Sequence, residues 1–132
     1  WFLTNVISVW ALIVTIIYYV ALFGGVYKAS DVNVHMMNTV VMLIDTIVCA
    51  TPVKLFHAIY PIIYGLAYVT CNAIYWSTDP KKNVLYAVIM DWNTPAYPVG
   101  VLFGMLIVVL PLLQAMYFGI YRLKLLIFKK IF

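Results

Sequence analysis

From Phe2 to Val26 the chain carries no charged side chain, and three more apolar stretches follow, at about Val34–Ala50, Leu55–Trp76 and Val99–Leu126. About 20 predominantly apolar residues suffice to cross the hydrocarbon core of a bilayer. Backbone in lipid must satisfy its own hydrogen bonds, which makes each such stretch a helix. The pattern predicts an all-α fold, a polytopic transmembrane helix bundle with four visible spans at about 2–26, 34–50, 55–76 and 99–126. Together they form a single transmembrane domain over residues 1–132. Composition excludes the soluble alternative. Only 9% of residues are charged and 67% are hydrophobic, whereas a soluble domain is about one-quarter charged. Gly24-Gly25 with "YKASDVN", Thr51-Pro52 and "STDPKKN" break the runs. Residues 84–95, "VLYAVIMDWNTP", are apolar but too short to span, and read as an interfacial or re-entrant segment. Pro111 is placed to kink the long last span. Trp1 already lies inside an apolar run with no initiator Met, which predicts further helices upstream and a fragment of a larger bundle.

The net charge of +4 is a membrane feature and not a nucleic-acid footprint. Arg122, Lys124, Lys129 and Lys130 crowd the end of the last apolar run, where they suit anionic headgroups. These four and Lys54 fall on one side of the predicted topology, against Lys28, Lys81 and Lys82 on the other. The positive-inside rule then places the C-terminus in the cytosol. The expected location is integral and multi-pass, in the plasma membrane or an endomembrane. Membrane lipids and other membrane-protein subunits are the expected partners.

Within the second run, His35, Asn38, Met42, Asp45 and Cys49 recur at spacings of three and four, one stripe of an α-helix. Asp45 lies ten residues after His35, about 15 Å along the axis. An ionisable group at that depth faces protein or a wet cavity. A second stripe, His57, Tyr60, Tyr64, Tyr68 (or Ala67), Cys71 and Tyr75, occupies the third run. The short turn between the runs predicts an antiparallel hairpin with Asp45 opposite Tyr60 and Tyr64, an intramembrane polar site comprising Asn38, Asp45, Tyr60 and Tyr64. His35 at the start of the second run, with Asp91 and Trp92 before the fourth, predicts a polar cluster at the outer face. The two histidines sit about 25 Å apart by helix rise, so they share no metal, and Cys49 and Cys71 lie at different depths. No zinc spacing, nucleophile elbow, P-loop or dinucleotide fingerprint is present, and no metal or cofactor is expected. For each of these polar residues a structural role, as interhelical glue or as an interfacial anchor, stands beside the functional one.

The segments "NVHMMNTVVMLIDT", "PVKLFHAIYPIIYGLAYVTCNAIYW" and "LYAVIMDWNTP" resemble the protein rolling stone family over roughly residues 31–100. The resemblance implies a multi-pass membrane protein, with a role in cell–cell, myoblast-like fusion (the founding member is tied to myoblast fusion) or as a membrane-complex subunit. A more distant similarity runs to the androgen-induced-gene family of intramembrane hydrolases, which cleave fatty acid esters of hydroxy fatty acids with a threonine nucleophile and a histidine base. There a histidine opens an apolar span with an acidic residue ten positions on, as His35 and Asp45 do here. That likeness implies His35 as the general base, with the nucleophilic threonine upstream of Trp1. Thr4 matches the local wording only. Transport along the Asp45–tyrosine stripe is a third class, disfavoured by a single ionisable group at depth.

Overall fold

The computed structural model describes residues 1–26, 28–87 and 89–131, the last by its backbone alone. Four helices form an up-down-up-down bundle. Helix α1 is the α-helix Phe2–Ile17 extended by a π-helical turn, Tyr18–Leu22. It stops before Gly25, whose φ of 83° is a backbone conformation that glycine adopts without steric cost. Helix α2 begins with Ala29–Asp31, widens into a π turn at Val32–Met36 and continues as Met37–Val48. Extended backbone at Cys49 and Lys54 frames the connection to α3. Helix α3 starts with the 3-10 turn Leu55–Ala58 and runs on as Ile59–Thr78. Pro61 sits in its first α-helical turn, where the missing N–H costs nothing. Helix α4 joins Ala96–Gly104, the π turn Met105–Val109 and Leu110–Ile131. Pro111 can neither donate to the carbonyl four residues back nor fit against it. The helix widens in the turn just before it.

Three of the helices, Phe2–Leu22, Leu55–Thr78 and Ala96–Lys130, are long and apolar enough to cross a membrane. The sequence reading of four spans is therefore one too many by this measure. Asp31, Asn33, His35, Asn38 and Asp45 interrupt the apolar run of α2.

Helix α1 is the centre of the bundle and packs against all three others. The expected direct packing of α2 on α3 is not what forms, because α1 lies between them as the main partner of each. Its surface explains why. Ser8 and Ala11 are small and buried, and small residues let helices approach closely. Trp10 on another face lies against Gly65 of α3, where an added Cβ would come within 2.7 Å of the indole. Its Nε1 donates to the Pro61 carbonyl at 3.1 Å. Val9, Ile13, Val53, Leu110 and Tyr117 make up the buried apolar core.

Near the turn at residues 51–54, called here the tip, long polar side chains tie α4 to the rest. Gln114 donates to the Lys54 carbonyl at 2.8 Å and approaches Asn5 Oδ1 at 3.5 Å. The Tyr117 hydroxyl donates to the Ser8 carbonyl at 2.9 Å. Lys124 Nζ donates to the Thr46 and Cys49 carbonyls at the C-terminus of α2, where a cation is favoured by the helix dipole. The outward faces are apolar: Val20 of α1, Val41 and Val48 of α2, Ile63 and Ile74 of α3, and Ile107 and Leu126 of α4 are all exposed.

Candidate functional site

At the end of the bundle away from the tip, α1 and α2 meet through hydroxyls and rings. The Thr15 hydroxyl donates to the His35 carbonyl and lies 2.8 Å from the Thr39 hydroxyl. With the Thr15 proton so used, Thr39 is the donor between them. The His35 ring stacks on Tyr18 with centroids 3.7 Å apart and planes 9° from parallel. Both rings come from π turns, an insertion that re-aims side chains and recurs at functional sites. His35 Nδ1 is buried without a hydrogen-bond partner among the described residues.

His35 and Tyr18 stand at one end of a cavity of about 280 Å³. Trp10, Ile13 and Ile17 of α1 form its floor, Tyr64 and Tyr68 one side, and Val101, Leu102 and Leu106 the other. Residues Tyr86, Ile89 and Met90 of the 84–95 segment also line it. The Tyr68 hydroxyl donates to that of Tyr86 at 3.3 Å. Helices α3 and α4 meet chiefly at the tip, through the 3-10 turn Leu55–Ala58, and this divergence makes the space. Val88 lies outside the described residues.

The sequence-predicted residues scatter around this geometry. Asn38 is exposed and, among the described residues, donates only to Val34 of its own helix. The inward residue one position on is Thr39, 6% exposed. Spacings of three and four are equivalent on paper, and the wide π turn after Asp31 selects the longer one. Asp45 faces protein, but not the tyrosines. It lines a second, very small cavity of about 10 Å³ with Asn5, Ser8, Thr46 and Gln114, and accepts from Cys49 Sγ at 2.9 Å. Tyr60 packs edge-on against Trp1 and Phe2, and Tyr64 against Trp10. The predicted polar site of Asn38, Asp45, Tyr60 and Tyr64 is thus four separate environments, because α1 occupies the space between α2 and α3.

Asp91 and Trp92 lie at the same end of the bundle as His35 but join other partners. Asp91 Oδ1 accepts from the Asn93 backbone and side chain at 2.9 and 2.7 Å, an Asx-type turn. Trp92 Nε1 donates to the buried Asn72 of α3 at 2.7 Å. These bonds anchor the segment that lines the large cavity and leave His35 to Tyr18. Thr4 lines the small cavity near the tip, eleven residues or about 16 Å of helix from Thr15 at the His35 level. It is no partner for His35. His57 is buried against Trp1, 5.0 Å between ring centroids. No group of three or more metal-ligating side chains occurs among the described residues.

Sequence reasoning missed Thr15, Tyr18, Trp10 and Tyr86. Tyr18-Tyr19 had a signal, as aromatic residues near the end of an apolar run, but nothing local ties them to a histidine 17 positions away.

The family profile described as "Protein rolling stone" matches residues 1–132. Protein rolling stone of Drosophila melanogaster is 31% identical over 132 aligned residues, covering 94% of this chain and 48% of that protein. The chain thus spans about half the length of this relative. No solved structure matches. With the match extending from the first residue to the last, the chain belongs to the protein rolling stone family.

Proposed function

We propose that this chain is part of a multi-pass membrane protein that serves cell–cell fusion of the myoblast type as a non-enzymatic subunit of a membrane complex. The observation that supports this reading is the division of labour in the bundle. Polar side chains such as Gln114, Tyr117 and Lys124 are spent on helix-to-helix bonds, while the outward faces stay apolar for lipid or further helices. Its test is a fusion assay with the full-length protein. Cells lacking it should form fewer multinucleate cells, and re-expression should restore them. Unchanged fusion would remove the reading.

A second reading rests on His35, whose ring lines the large apolar cavity. In it the chain belongs to a hydrolase of fatty acid esters of hydroxy fatty acids. A threonine upstream of Trp1 attacks the ester carbonyl, His35 takes its proton and passes it to the departing hydroxyl, and water then releases the acyl group. Purified full-length protein should turn over such an ester and His35→Ala should abolish turnover with insertion intact. No turnover by wild type, or an equally active variant, would refute it.

A further inference from the structure

The large cavity has the length of one leaflet and room for the buried part of one lipid. Its wall runs along α4 from Pro98 to Leu110, about 18 Å of helix, close to the ~15 Å hydrocarbon depth of one leaflet. Its volume of about 280 Å³ is nearly twice the ~150 Å³ apolar cavity that admits benzene.

All three π turns among the described residues contribute to that wall. Tyr18 and Leu22 come from the first, His35 from the second, and Met105 and Leu106 from the third. Two of the three, at Tyr18–Leu22 and Val32–Met36, have no proline to impose them, and such insertions cost regular helix bonding and are frequent at functional sites.

The chemistry of the wall selects the ligand. Trp10, Tyr18, Tyr64, Tyr68 and Tyr86 give it broad aromatic surface, and among the described residues it contains no lysine, arginine, aspartate or glutamate. A carboxylate or phosphate drawn into it would lose its water with no lysine or arginine to replace it, a cost of several kcal/mol. A hydroxyl loses far less, and finds what it needs. Among the described residues the buried Nδ1 of His35 has no partner, and a hydroxyl can either donate to an imidazole nitrogen or accept from its N–H.

We propose that this cavity binds a neutral, hydroxyl-bearing lipid, a sterol or a long-chain alcohol, with its hydroxyl at His35 and its apolar body along Trp10, Leu102 and Leu106. The hydroxyl then lies near the start of α2, at the headgroup level, and the body runs toward the middle of the membrane. The proposal concerns occupancy and needs neither ester cleavage nor a fusion role.

The test is photolabelling of the full-length protein in nanodiscs with three diazirine probes: a sterol, a long-chain primary alcohol and the fatty acid of the same chain length. Saturable labelling of peptides containing Tyr18, Tyr68 or Met105 by the sterol, the alcohol or both supports the proposal, and the probe that labels identifies the source. The fatty acid should label at least about tenfold less, the worth of a 1.4 kcal/mol difference. Leu102→Trp should fill the space and abolish labelling, with Val101→Phe as the alternative filler. Ile107→Trp, on the exposed face, should leave labelling unchanged. His35→Leu keeps an apolar wall and should weaken competition by unlabelled probe about tenfold, the value of one hydrogen bond to a buried group. The proposal is overturned by fatty acid labelling equal to the alcohol, by unsaturable labelling, or by inserted filler variants that label like wild type. None of the probes carries an ester, so failure here is distinct from failure of the hydrolase reading.

Discussion

Tyr18 and His35 stack nearly in parallel, 3.7 Å between ring centroids, and join the ends of α1 and α2 across one wall of the large cavity. Stacked aromatic pairs contribute about 0.5–1.5 kcal/mol beyond their burial. Tyr18→Phe keeps the ring and loses only the hydroxyl's hydrogen bond with Asp31, so it should cost less than Tyr18→Ala, which should lose about 1 kcal/mol or more. Equilibrium unfolding in mixed detergent micelles measures both, and equal losses would show that the hydroxyl rather than the ring matters.

Asn38 and Thr39 are neighbours in sequence with opposite surroundings. Asn38→Leu exchanges a polar group on an exposed face for an apolar one and should be neutral or stabilising in a bilayer. Thr39→Val removes the hydroxyl that meets Thr15 and should cost about 0.6 kcal/mol, the average for interhelical hydrogen bonds in membranes, and at most about 1.7. Should Asn38→Leu cost more than Thr39→Val, Asn38 and not Thr39 is the residue that meets α1.

Gly65 touches Trp10 so closely that even a methyl group must displace the indole. Gly65→Ala should therefore destabilise by about 1–3 kcal/mol, the usual cost of overpacking. In a Trp10→Phe background, which lacks the obstructing ring, the same substitution should cost much less. Additive losses in the double variant would exclude this contact as the cause.

Gln114 reaches α1 and the tip turn at once. Gln114→Leu should lower thermal stability, and Asn5→Leu added to it should cost less than its own single effect, because the two share a partner. The double-mutant cycle reads the coupling directly.

Lys124 holds the C-terminal carbonyls of α2 from 75 to 78 positions away. Lys124→Met should loosen the end of α2, seen as faster hydrogen exchange over residues 45–49. Lys129→Met, at the exposed end of α4, should leave that exchange unchanged.

Some of this was legible from residues alone. The apolar runs located all four helices. His35 was singled out by its place at the head of α2, whereas Asp45, expected deep in the membrane, lies in the last turn of α2 beside the tip. The pairing was not legible. A stripe at spacings of three and four leaves Asn38 and Thr39 equally placed, and only the π turn separates them. The short loop between α2 and α3 argued for their contact, yet α1 displaces it, because a loop constrains where two helix ends lie and not which faces meet.

Membrane residence, the helices and their breaks follow from the sequence by itself, because length, apolarity and the need to satisfy backbone hydrogen bonds in lipid act locally along the chain. The partners of each helix were decided only in the folded bundle. In lipid an apolar face has no preference for protein over acyl chains, so pairing falls to shape, as with Trp10 in the gap at Gly65, and to scattered polar reach. Tyr117 and Ser8, 109 residues apart, make one such bond, and no local pattern encodes it.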